Sequence, residues 1–211
     1  MKYIAHRGLR DNKYEENTIE AFQNAIENPN VSGFEFDIRV TKDHYFVVHH
    51  NAFIKGDLIK NKTYRYLKKE YNLPLLSDVL KLETDKIMLI EIKDTHLPFK
   101  KLNRLLKKYS YRNLYVMSFH NSVIYKLCEY RCTAKLGILN YILNSEADYN
   151  LDFIGLINDL SNRKLIDNYK KREVEVFLYG VLNEEEDLRY EDVYYIVDGI
   201  PQNRNALQNI L

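Results

Sequence analysis

The chain has 211 residues, 45% of them hydrophobic and 29% charged, with a formal net charge of +1. That is one large domain or at most two small ones, too apolar to be disordered throughout, and with no overall charge to select a nucleic-acid polyanion or a basic partner. Two cysteines, seven glycines and four prolines exclude a disulfide scaffold, a collagen-like repeat and a linker-rich chain.

In chain order, apolar or β-branched runs predict strands at Tyr3–Ala5, Phe34–Val40, Phe46–Val48, Ile87–Ile92, Leu114–Met117, Ala134–Leu139, Phe153–Ile157, Val174–Tyr179 and Tyr194–Val197. Helical spacing lies between most of them. Ile19, Phe22 and Ile26 form one apolar stripe, with Asn17 or Thr18 as N-cap. Phe99, Leu102, Leu105, Leu106 and Tyr109 form a second, Val123, Ile124 and Leu127 a third, and Leu165, Ile166 and Tyr169 a shorter fourth. Cys128 and Cys132, at i, i+4, could share one helix face, and read as two buried small apolar residues. Strands alternating with helices make a parallel sheet. Thr41-Lys42-Asp43-His44 is too short for a crossover, so Phe46–His49 folds back as a hairpin on the strand before it. Eight strands remain, the number of a TIM-type (β/α)8 barrel, here expected as a single domain over 1–211. An open doubly wound sheet is the alternative, weakened because no Gly-rich phosphate loop is present.

Residues 1–7 reach polar groups at once, and no apolar run approaches the roughly 20 residues of a membrane span. A soluble, cytoplasmic protein with no stable membrane anchor is expected. Lys100, Lys101, Arg104, Lys107 and Lys108 line the face opposite the second apolar stripe, a solvated barrel-helix surface and not a nucleic-acid patch.

The chemistry sits at strand ends, where a barrel builds its site. Glu35 and Asp37, at i, i+2, project from one face of a strand, while Phe34, Phe36 and Ile38 point into the helix layer. Glu91 and Lys93 repeat that spacing. Inward carboxylates are costly unless a cation or protons neutralise them. Three all-oxygen ligands suit a hard divalent ion, Mg²⁺ or Ca²⁺. An inward ion-pair network with Arg7 and Lys93 is the other account. His6-Arg7-Gly8 ends the first strand, and His49-His50 ends the hairpin, where only one of the adjacent histidines can face the site. His44 and His96 read as solvated, and His120 as a cap of the next helix.

Together, His6-Arg7-Gly8, Glu16-Asn17-Thr18, Glu35-Phe36-Asp37, Thr41-Lys42-Asp43, Val47-Val48-His49, Glu91-Ile92-Lys93 and Ser118-Phe119 resemble the glycerophosphodiester phosphodiesterases in order and spacing over roughly residues 3–120. Lys135-Leu136-Gly137 and Val197-Asp198-Gly199-Ile200 fit more loosely. The resemblance implies a TIM barrel that hydrolyses a small glycerophosphodiester to glycerol 3-phosphate and an alcohol with a divalent metal. It implies Glu35, Asp37 and Glu91 as metal ligands, His6 and His49 as general acid and base, and Arg7 and Lys93 as phosphate ligands. A neighbouring glycerol hydroxyl would attack phosphorus, and water would open the resulting cyclic phosphate. His50 stands where the family has Asp, and Glu15 where it has Pro. Tyr179-Gly180-Val181-Leu182 with Asn183 stands where it has Trp-Thr-Val-Asn, so Tyr179 is a candidate substrate wall. Ile200 runs into Pro201-Gln202-Asn203 without the family's Thr-Asp. A non-catalytic phosphate- or partner-binding barrel and a phospholipase D-like lyase stand as alternatives.

Overall fold

A computed structural model describes residues 1–140, 151–181 and 188–200. Its strands are β1 (Lys2–Ala5), β2 (Val31–Val40), β3 (Phe46–Val48), β4 (Phe53–Ile54), β5 (Asp57–Leu58), β6 (Ile87–Ile92), β7 (Leu114–Ser118), β8 (Lys135–Asn140), β9 (Phe153–Ile157), β10 (Glu175–Tyr179) and β11 (Tyr194–Val197). Its α-helices are α1 (Ile19–Glu27), α2 (Tyr64–Tyr71), α3 (Leu76–Val79), α4 (Phe99–Lys108), α5 (Asn121–Glu129) and α6 (Arg163–Lys171). Eight strands run parallel in the order β1-β11-β10-β9-β8-β7-β6-β2, and pairing of β1 with β2 closes the ring. This is the TIM-type barrel, not the open sheet.

Each barrel strand is buried on both faces, so its alternating residues feed two cores. Ile4, Leu89, Tyr115, Met117, Leu139, Phe153, Phe177 and Ile196 fill the barrel interior. Phe34, Phe36, Ile38, Met88, Ile90 and Val116 face the helices, where Phe22 of α1 stacks 5.0 Å from the Phe34 ring. Burying one such side chain stabilises by about 1.5–3 kcal/mol. The Phe153 ring fills the space over Gly137, where a Cβ would sit 2.5 Å from ring carbons. Tyr115, Phe153 and Phe177 form the barrel floor, their centroids 5.0 to 5.5 Å apart. Beneath it, Tyr115 Oη donates to Glu175 at 3.0 Å and accepts from Lys135 at 2.7 Å. The upper half is left for polar groups.

Strand β2 is ten residues long and outruns its neighbours. Strand β1 leaves its edge after Phe34, and β3 takes that edge over antiparallel, pairing Ile38 with Val48 and Val40 with Phe46. The hairpin is therefore an extension at the top of the barrel.

Between β3 and α3, the β4–β5 hairpin, a short 3-10 turn at Ile59–Asn61 and α2 enclose a small core of Val47, Ile59, Leu67 and Leu73. The hairpin's Lys55-Gly56 turn has both residues at positive φ, the primed-turn pattern of two-residue hairpins. Thr18 alone caps α1, accepting from Ala21 N at 3.3 Å. His120 occupies the position before α5 but makes no side-chain cap bond; its backbone N–H donates to Ser118 Oγ at 3.1 Å. Helix α5 ends at Glu129, so Cys132 lies past it rather than on its face, although both thiols touch the core. The α4 stripe is as expected, with Leu102 and Leu106 buried and its lysines exposed. Leu182, Asn183 and Pro201-Gln202-Asn203 lie outside the described residues.

Candidate active site

The register of β2 against β6 assembles the acidic cluster. Asp37 is directly beside Glu91, and Glu35 beside Leu89, one step deeper. Parallel neighbours in register project to the same side, so all three carboxylates turn into the barrel. One oxygen from each of Glu35, Asp37 and Glu91 lies within 4.8 Å of the others. Glu35 and Asp37 are each only 1% exposed and Glu91 8%.

The cations do not satisfy this cluster. Lys93 Nζ donates to Glu91 Oε1 at 2.6 Å and stands 3.4 Å from Asp37 Oδ1. Arg7 Nε stands 3.5 Å from Asp37 Oδ2, and its Nη1 donates to Glu16 at 2.8 Å. Glu35 Oε1 and Asp37 Oδ1 remain buried with no hydrogen-bond partner. A buried, unpaired carboxylate oxygen is costly. Burial, then the charges of Asp37 and Glu91, push the Glu35 carboxyl well above its ordinary value; burial also raises Glu91 against the pull of Lys93. Orphaned oxygens on a convergent all-oxygen set fit a hard divalent cation better than a closed ion-pair network does.

Strand β1 delivers the next groups through a tight turn. Arg7 sits at φ 57, an uncommon conformation for a side-chain-bearing residue, and this aims its backbone N–H at Glu35 Oε2, 3.0 Å away. Gly8 follows at φ +87 against α1, where a Cβ would meet Ala21 Cβ at 2.7 Å, so only glycine fits. His6 places Nε2 3.9 Å from Glu35 Oε2 and Nδ1 2.8 Å from Asp198 Oδ1. The bond to His6 comes first among the causes that hold the Asp198 carboxyl below its ordinary value.

The hairpin brings His49 to the same level: its backbone N–H donates to Asp37 O at 3.1 Å. Its Nε2 lies 3.4 Å from Phe53 O, and burial lowers its imidazole below the ordinary value. His50 Nδ1 pairs with Asn51 Oδ1 at 3.0 Å. Burial lowers the His50 imidazole below its ordinary value too. Arg39 Nε donates to His50 O at 2.9 Å, while Asp94 holds Arg39 Nη1 at 2.7 Å and Val40 N at 2.8 Å. Tyr179, at the end of β10, donates to Asn140 O at 2.9 Å and stands edge-on to Phe119 with centroids 5.7 Å apart. The mouth thus has a charged half on β1, β2 and β6 and an aromatic edge on β7 and β10. His44 and His96 are exposed, as expected.

Four polar groups here escape the reading from residues alone. Asn17 bridges to Asp37, Glu16 holds Arg7, and Asp94 and Asp198 follow strand ends. The strand-end rule that singles out Lys93 and His6 applies equally to Asp94 and Asp198.

Comparison with known proteins agrees with the barrel fold. A glycerophosphodiester phosphodiesterase from Parabacteroides distasonis superimposes with a TM-score of 0.82 at 22% identity, covering 93% of this chain and 92% of that one. One from Thermotoga maritima gives 0.76 at 25% identity, with 93% of each chain covered. A phosphodiesterase from Oleispira antarctica, in complex with the product sn-glycerol-3-phosphate, gives 0.76 at 16% identity over 92% of each. No curated protein matches. Residues 6–155 match the model of the glycerophosphoryl diester phosphodiesterase family, and with well over half its length inside that match, the chain belongs to this family.

Proposed function

We propose that the chain acts as one catalytic domain over 1–211, hydrolysing a small glycerophosphodiester to glycerol 3-phosphate and an alcohol. The observation that carries this reading is the convergence of three buried carboxylates, two of them with an oxygen that has no hydrogen-bond partner, beside Arg7, Lys93, His6 and His49. Glu35, Asp37 and Glu91 are the residues that would hold a divalent cation, Mg²⁺ or Ca²⁺, which would supply Lewis-acid neutralisation of the phosphate. Arg7 and Lys93 bind phosphate oxygens, the guanidinium fork suiting two at once. His6 and His49 move the protons. One takes the proton of the attacking glycerol hydroxyl and the other protonates the departing alcohol oxygen; the roles reverse when water opens the cyclic phosphate. Tyr179 and Phe119 wall the alcohol side of the mouth.

The deciding assay is release of sn-glycerol 3-phosphate from glycerophosphocholine by purified protein with Mg²⁺ or Ca²⁺ and with EDTA. Turnover abolished by EDTA and restored by the ion is the expected result. Binding of phosphate without any turnover would leave the non-catalytic reading in its place, and a cyclic phosphate as the stable product would point to the lyase. Comparing glycerophosphocholine with a lysophospholipid tests the preference for a small diester.

A further inference from the structure

Asp198 follows β11, beyond the residues 6–155 that match the family model. Its Oδ1 takes two contacts at once: His6 Nδ1 at 2.8 Å and Arg10 Nη2 at 2.8 Å. We propose that Asp198 is a positioning residue that fixes His6 with its proton on Nδ1 and its Nε2 lone pair toward the carboxylate cluster. This rests on the reading of His6 as a proton-transfer group.

An ionised carboxylate only accepts, so the ring nitrogen facing it must carry the proton. In the neutral imidazole the other nitrogen is then bare. Nε2 is that nitrogen, and at 3.9 Å from Glu35 Oε2 it makes no hydrogen bond that would draw the proton the other way. Arg10 is the reason Asp198 stays in place although it is open to solvent. The guanidinium has donors alone; it holds the same carboxylate oxygen, and its other end lies 3.7 Å from Glu16 Oε2. Glu16 Oε1 in turn holds Arg7. The His6 backbone is fixed by the same seam, its N–H donating to Val197 O at 2.9 Å. The end of β11 and the residue after it therefore orient both the main chain and the ring of the residue that follows β1.

The test uses the full chain with ¹⁵N-labelled histidine and follows the two His6 nitrogens at a pH where the ring is neutral. The wild-type protein is expected to show a protonated Nδ1 and a bare Nε2. D198A is expected to move the proton toward Nε2, and to lower kcat on the order of 10–100-fold with little change in KM. D198N, which can turn its amide NH2 donor to Nδ1, is expected to leave the proton on Nε2 and kcat low, whereas D198E, which keeps an acceptor-only carboxylate, is expected to restore part of both. Nitrogen shifts unchanged in D198A, or shifts in D198E no different from those of D198A, would overturn the assignment. If no variant turns over any diester, the function proposed above fails, while the nitrogen shifts still decide the role of Asp198.

Discussion

Asn17 and Asp37 grip each other at two points: Asn17 Nδ2 donates to Asp37 Oδ2 at 2.9 Å, and Asp37 N donates to Asn17 Oδ1 at 3.2 Å. The second bond replaces a strand. Strand β1 stops pairing with β2 at Phe34, and the Asn17 side chain satisfies a backbone N–H on the edge it vacates. The first bond sets the orientation of the carboxylate. N17A is therefore expected to leave a buried donor unpaired, costing about 1–3 kcal/mol, and to weaken divalent-ion affinity about 10–100-fold. Thermal denaturation measures the first effect and calorimetric titration with Mg²⁺ the second.

Glu35 gives a pH test. Its carboxyl lies well above the ordinary value because of burial and the charges of Asp37 and Glu91. A raised value means that the contribution to stability is fully present below the unfolded value, about 4.3 for Glu, and is lost as pH rises through the folded value. In EDTA, the stability difference between wild type and E35Q is expected to shift against wild type as pH climbs above about 4.3. Mg²⁺ at about 100 times its Kd adds about 2.7 kcal/mol, or roughly 5–10 °C in Tm, to wild type at neutral pH. E35Q gains far less. Melting curves of both proteins across pH, with and without Mg²⁺, check this; parallel profiles in EDTA count against it.

Asp94 caps the edge of β2 where β6 ends, holding Val40 N and Arg39, and Arg39 holds the His50 carbonyl next to His49. D94A is expected to lower kcat on the order of tenfold through displacement of His49, since small misplacements of a catalytic group are expensive. Removing Arg39 by R39A removes the same linkage, so the double variant should lose little more than the worse single one. Steady-state kinetics of the four proteins measure it; fully additive losses would separate the two residues.

Asp57 ties the β4–β5 hairpin to α2. Its Oδ2 accepts from Tyr66 and Tyr71 hydroxyls at 2.7 Å each, and its Oδ1 lies 2.9 Å from Lys62 Nζ. The Tyr71 bond, then those from Tyr66 and Lys62, bring the carboxyl down to about 2. A lowered value contributes stability above the unfolded value, about 3.9, and loses it as pH falls through the folded one. Carboxyl NMR should place the Asp57 midpoint near 2, and D57N should abolish local protection of the hairpin amides at pH 5. A midpoint near 3.9 would mean that these bonds do not form in solution.

How much of this was legible depends on distance along the chain. The pairing of Glu35 with Asp37 on one face, and of Phe34, Phe36 and Ile38 on the other, follows from a two-residue period alone, and the structure has it so. That Asp37 lies beside Glu91 is a matter of register between strands joined by dozens of residues, which no local pattern encodes. The β4–β5 hairpin escaped because two-residue strands show no period. Asn17 escaped for another reason: next to a helix start, an Asn side chain has an ordinary job as a cap, and only the fold shows that Thr18 does that job instead.

Closure of the ring has a temporal side. The carboxylate cluster is complete once β6 has been made, since Glu35, Asp37 and Glu91 all precede residue 92. Strand β1, which carries His6, waits much longer: one of its two neighbours is β11, and Lys2 pairs with Tyr194 across almost the whole chain. A chain lacking β11 cannot seal the barrel beside His6, because one edge of β1 then has no partner. Loop closure over that span is slow compared with local pairing. Catalytic competence should therefore appear late in synthesis and abruptly, with the emergence of β11.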